Sequence, residues 1–74
     1  MNTYRVKYFN SGGYKSTGTL TTDLHIKREN DNNLCLWDGE VKVGAIEAIE
    51  QLFIQQLGYI EELTIIDVTL ESDA

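Results

Sequence analysis

The sequence predicts an α+β fold: a small antiparallel β-sheet of four or five strands, in the order β-β-β-β-α-β, with one α-helix packed on one face. Three observations point there. Residues 3–9 alternate between apolar and charged side chains, the period of a half-buried strand. Two clusters of turn formers, Asn10-Ser11-Gly12-Gly13 and Glu29-Asn30-Asp31-Asn32, divide the first half into extended segments. Residues 45–57 then switch to a helical period that stops at Gly58.

In the first strand Tyr4, Val6 and Tyr8 share one face and Arg5, Lys7 and Phe9 the other. After the first turn the chain returns from Tyr14 as one long strand, rich in Thr, with Leu20, Leu24 and Ile26 as its apolar positions. Gly18 inside it is expected to mark a bulge or bend. Beyond the second turn, Asn33-Leu34-Cys35-Leu36-Trp37 and Glu40-Val41-Lys42-Val43 flank Asp38-Gly39, a strong hairpin signal. A two-residue loop at Asp38-Gly39 sets Leu36 opposite Val41 and Leu34 opposite Val43, with Cys35 and Trp37 on the far face beside Lys42 and Glu40. The competing reading makes Asp38 a helix N-cap, but Val41, Val43 and Gly44 are poor helix formers.

The helix gathers Ala45, Ala48, Ile49, Leu52 and Phe53 on one face, with Ile46 and Leu57 at its edge. Glu47, Glu50, Gln51 and Gln55 lie opposite. Two residues break this division: Gln56 projects toward the apolar side, and Ile54 projects outward among carboxylates and amides. The last strand, 61–71, changes phase. Leu63 and Ile65 are apolar at odd positions, and Ile66, Val68 and Leu70 at even ones. A bulge near Ile65–Ile66, or a regular strand that begins there, accounts for this. Residues 71–74 are expected to form a frayed tail.

A chain of 74 residues is one domain, 1–74, and buries only roughly 60% of its unfolded surface. Its 42% apolar and 24% charged residues exclude intrinsic disorder. Cys35 is the only cysteine, so no intramolecular disulfide forms and a cytoplasmic, reducing compartment is expected. The longest apolar run, Leu52-Phe53-Ile54, is far short of the ~20 residues that span a bilayer. MNTYRVKYF has no apolar h-region of a secretory signal.

The net charge of −6 is unevenly placed. Residues 1–42 hold all six cations (Arg5, Lys7, Lys15, Lys27, Arg28, Lys42) against Asp23, Glu29, Asp31, Asp38 and Glu40. Residues 43–74 hold no cation and seven acids: Glu47, Glu50, Glu61, Glu62, Asp67, Glu71 and Asp73. Such a half repels nucleic acid and attracts basic surfaces. The plain alternative is that the acids keep a small domain soluble.

Tests for chemistry mostly fail. Residues 11–18 glance at a phosphate loop, but Tyr14 rather than Gly precedes Lys15, and the segment joins two strands. His25 and Cys35 could pair as base and nucleophile, yet no third orienting group accompanies them. Asp31, Asp38 and Glu40 do not match a calcium-loop spacing, so neither metal nor cofactor is expected.

If the helix covers the Leu34/Leu36 side, the opposite side collects Arg5, Lys7, Phe9, His25, Lys27, Trp37 and Lys42. Exposed aromatics with cations are how several sheets stack single-stranded nucleic acid. Asp23 and Glu40 on the same side, and the acidic balance, oppose that reading. The same residues suit a protein contact, or Trp37 simply folds over the sheet.

The preferred reading is a non-catalytic module that binds another protein. Ile54 ringed by polar groups has the anatomy of a small interface, so the partner-binding set is Glu47, Glu50, Gln51 and Ile54, aided by Glu61 and Glu62. Its natural target is a basic, nucleic-acid-binding groove, for which the protein would compete. In length, acidity and want of catalytic groups the chain resembles the small inhibitors that phages make against host nucleases and defence complexes, including anti-CRISPR proteins. That resemblance is of general character and implies action in a host cytoplasm. A third reading is homodimerisation through an open sheet face or edge.

Overall fold

The computed structural model describes residues 1–30 and 33–73. Six strands and one helix follow one another: β1 (Asn2–Phe9), β2 (Lys15–Thr22), β3 (His25–Arg28), β4 (Leu34–Asp38), β5 (Val41–Gly44), α1 (Ile46–Leu57) and β6 (Thr64–Asp73). The α+β class and the single helix are those expected from sequence. The strands, however, form two antiparallel three-stranded sheets rather than one, ordered β2-β1-β6 (sheet I) and β3-β4-β5 (sheet II).

The division falls inside what the sequence presents as one long strand. At its break the Thr22 hydroxyl accepts the Leu24 N–H at 3.2 Å, a local turn that takes a donor from the ladder. β2 therefore ends at Thr22, and β3 enters the second sheet.

In sheet I, Tyr4, Val6 and Leu20 point inward and are buried, while Arg5 and Lys7 point out, as the alternation requires. Gly18 faces Val6 in unbroken register, so it marks neither bulge nor bend. Its missing side chain instead admits the helix: a Cβ there would lie 2.6 Å from Leu57 Cδ2 and 2.7 Å from Phe53 Cζ. On β6 the register against β1 slips between Lys7 and Tyr8, leaving Ile66 as the extra residue, which is the bulge signalled by the change of phase. A second slip leaves Glu71 extra. The expected tail at 71–73 belongs to β6, because Ser72 and Asp73 pair with Thr3 and Asn2 and Arg5 reaches Glu71 at 3.2 Å. Ala74 lies outside the described residues.

In sheet II the β4–β5 hairpin is shifted by one residue from expectation. Asp38 pairs with Val41, Trp37 with Lys42 and Leu36 with Gly44. The loop is thus Gly39-Glu40, with positive φ (64°) at the glycine, its first position, the pattern of a type II′ turn. Val41 and Val43 consequently lose their expected partners and stand 65% and 52% exposed. Of the preceding turn, Asp31 and Asn32 lie outside the described residues; its closing bond runs from Glu29 N–H to the Asn33 carbonyl at 3.1 Å.

α1 lies against both sheets and closes the core. Ile49 and Phe53 are fully buried with Val6 and Leu20, joined by Tyr4, Leu34 and Leu36. The Phe53 and Tyr8 rings meet edge to face at 5.2 Å. Ala48 occupies the space left by Gly44, where a Cβ would stand 2.5 Å from its own. The helix ends as predicted, with the Gly58 N–H donating to the Ile54 carbonyl at 2.8 Å and Gly58 at φ 100°.

Two sheets expose four edges, and two of them are capped by side chains. Gln56 accepts the Thr21 N–H at 3.0 Å and donates to the Thr21 carbonyl at 2.6 Å, so its amide stands in for a neighbouring strand along β2. On β3 the Ile26 N–H donates to the Tyr4 hydroxyl at 3.0 Å, and at the preceding bend Asn2 Nδ2 donates to the Leu24 carbonyl at 3.0 Å. These bonds explain why Asn2 and the Tyr4 hydroxyl are polar yet buried.

Candidate functional site

The outward side of α1 is an acidic surface. Glu47 and Gln51 are exposed there, while Glu50 and Ile54 are half-buried. Glu47 and Glu50 are three residues apart and so adjacent on the helix. Burial raises the Glu50 carboxyl above its ordinary pKa, and the neighbouring Glu47 charge raises it further. The ion pairs seen among the described residues lie elsewhere: the N-terminus with Asp23, Arg5 with Glu71, Arg28 with Asp67, and Lys42 with Glu29. The helix acids meet no cation in them.

Glu61 and Glu62 sit on the turn that precedes β6 and are exposed. Glu61 has structural work: its carbonyl accepts the Ser11 N–H at 3.0 Å, which clamps the β1–β2 turn to this loop, and its carboxylate lies 3.4 Å from the Ser11 hydroxyl. Glu62 adopts a positive φ of 54°. Ile54 does not join the core cluster, so it keeps the position among polar groups that its phase predicted.

Sequence reasoning assigned Val41 and Val43 to the core, and the hairpin shift brings them to the surface beside the start of α1. The only advance signal was the choice between Asp-Gly and Gly-Glu as the two loop residues. The structure thus adds exposed apolar area at the amino end of the acidic helix.

The second candidate surface is divided. Arg5, Lys7 and Phe9 lie on the outer face of sheet I, whereas His25, Lys27 and Trp37 lie on sheet II. Trp37 is engaged within the chain: its Nε1 donates to the Lys27 carbonyl at 3.2 Å, and the Lys27 ammonium stands 4.9 Å from the ring centroid. One ring face is therefore already covered, and Arg5 and Lys42 are paired with acids.

Cys35 is 3% exposed, and its thiol donates to the Asn33 carbonyl at 3.5 Å. His25 pairs across the sheet with Trp37, and Cys35 with Lys27, so thiol and imidazole are offset along adjacent strands. Nothing in this arrangement presents a nucleophile to solvent. Among the described residues no group of three His, Cys, Asp or Glu is placed to hold a metal ion, and no helix is long and apolar enough to cross a membrane. A shallow cleft of about 170 Å³ opens between β6 and sheet II, lined by Arg28, Asn33, Leu34, Ile46, Ile65 and Ile66. That is below the roughly 300 Å³ at which small-molecule pockets begin.

Comparisons of the chain with protein-family models, curated proteins and solved structures found no match.

Proposed function

We propose that this protein performs no reaction of its own and acts by binding the basic surface of another protein through the outward side of α1. The single observation that supports this is the uncompensated charge of Glu47 and Glu50. Asp67 and Glu71 on β6 and Glu29 beside the second turn are paired with cations of the same chain, whereas the adjacent helix carboxylates repel one another. A Lys or Arg supplied by a partner would relieve that repulsion, and Ile54 supplies apolar contact inside the polar rim.

A partner with such a surface is a nucleic-acid-binding protein or nuclease complex, and occupation of its groove would inhibit it. This is the manner in which phage-encoded anti-defence proteins work, acting in the host cytoplasm. The test is affinity capture from native-cell lysate at low salt, followed by titration of the purified partner. The wild type is expected to bind with an affinity that falls as salt rises. Glu47→Lys with Glu50→Lys is expected to abolish binding; unchanged affinity would remove the helix from the interface.

A further inference from the structure

The four sheet edges are managed unequally. β2 is capped by Gln56, β3 is capped from Tyr4 and Asn2, and β5 is only four residues long. β6 is ten residues long and, among the described residues, has a strand neighbour on one side only. The ladder shows which of its groups face out. Thr21 spends its N–H and carbonyl on Gln56, so Thr21 and its partner Thr3 do not bond to each other. The alternation along β1 then turns Thr3, Arg5 and Lys7 toward β6, where they face Ser72, Thr69 and Asp67. Val68 and Leu70, between these, direct their backbone groups to the open edge. Leu70 is also 50% exposed and Ile66 38%.

We infer that a second copy of this chain docks on the β6 edge, strand to strand and antiparallel about a two-fold axis at Val68. That register sets Val68 against Val68 of the second copy and Ile66 against Leu70 of the second copy, twice over. The two exposed apolar residues of β6 thereby cover each other, and Asp67 falls opposite Thr69 rather than opposite an acid. The acids of this edge do not themselves call for a basic peptide. Asp67 and Glu71 are already paired with Arg28 and Arg5 of their own chain, which leaves this edge little attraction for foreign cations. Two chains of net charge −6 nevertheless repel at long range, so salt strengthens this contact, whereas it weakens the docking proposed for α1. The two proposals therefore fail separately.

The test is sedimentation equilibrium of the full chain over a concentration series at low and high salt, with amide hydrogen exchange on the same samples. The expected result is a monomer–dimer equilibrium that shifts to dimer with salt, with Val68 and Leu70 amides gaining protection as dimer forms. Leu70→Lys, checked for folding by circular dichroism, should return the monomer. A concentration-independent monomer at high salt overturns the inference. So does a dimer that weakens with salt, or one in which the Val68 and Leu70 amides stay unprotected. The exchange result keeps the test decisive even where the variant does not fold.

Discussion

The side-chain amide of Gln56 holds both backbone groups of Thr21, at 3.0 and 2.6 Å, and so joins the last turn of the helix to the edge of sheet I. A glutamine at an apolar helix position is a defect by pattern alone. Here it is the residue that closes an edge while the neighbouring Phe53 fills the core.

Gln56→Glu keeps the shape but places a carboxylate oxygen against the Thr21 carbonyl. One hydrogen bond is lost and a repulsion replaces it. The expected cost is about 1–2 kcal/mol, read as a lower urea midpoint with an unchanged slope.

Tyr4→Phe removes the hydroxyl that accepts the Ile26 N–H and leaves that donor on the β3 edge unsatisfied. The loss is expected to be about 1 kcal/mol or more. Faster exchange of the Ile26 amide, with slower changes elsewhere in sheet II, would locate it.

Gly18→Ala introduces a methyl group within 2.7 Å of Phe53 and Leu57. Leu57 is exposed and can move; Phe53 is fully buried and cannot. Overpacking of this kind costs about 1–3 kcal/mol, visible in the thermal midpoint, and exceeds the small gain that alanine ordinarily brings to a strand.

Among the described residues Glu50 carries the pH dependence with a defined sign. Its folded pKa is raised, so the unfolded chain loses this proton at lower pH than the folded one. Stability contributed by the protonated form is complete below the unfolded value and is lost as pH rises through the folded value. Glu50→Gln is therefore expected to stabilise the protein at neutral pH by about 0.5 kcal/mol, with the advantage vanishing below about pH 4. Denaturant titrations at the two pH values check this.

Side-chain periodicity revealed faces well and neighbours poorly. The inward set of β1, the bulge at Ile66, the extent of α1 and its stop at Gly58 were all legible, because each is local to its own segment. The break at Thr22–Leu24 was not, since Leu20, Leu24 and Ile26 keep the same phase on either side of it and the Thr22 hydroxyl that ends the strand looks like any other threonine. The hairpin slipped by one residue because glycine suits either loop position. That slip left Val41 and Val43, expected to face the core, exposed on the surface ahead of α1. The helix acids and Ile54 were legible as a surface; the pairing of Asp23, Glu29, Asp67 and Glu71 with cations of the same chain required the three-dimensional arrangement.

Whether the acidic side of α1 binds a basic protein is decided by the affinity of the captured partner for wild type and for Glu47→Lys with Glu50→Lys across a salt series. The wild type is expected to bind with an affinity that falls as salt rises, and the variant not to bind. Equal binding by both, or wild-type binding indifferent to salt, would contradict it.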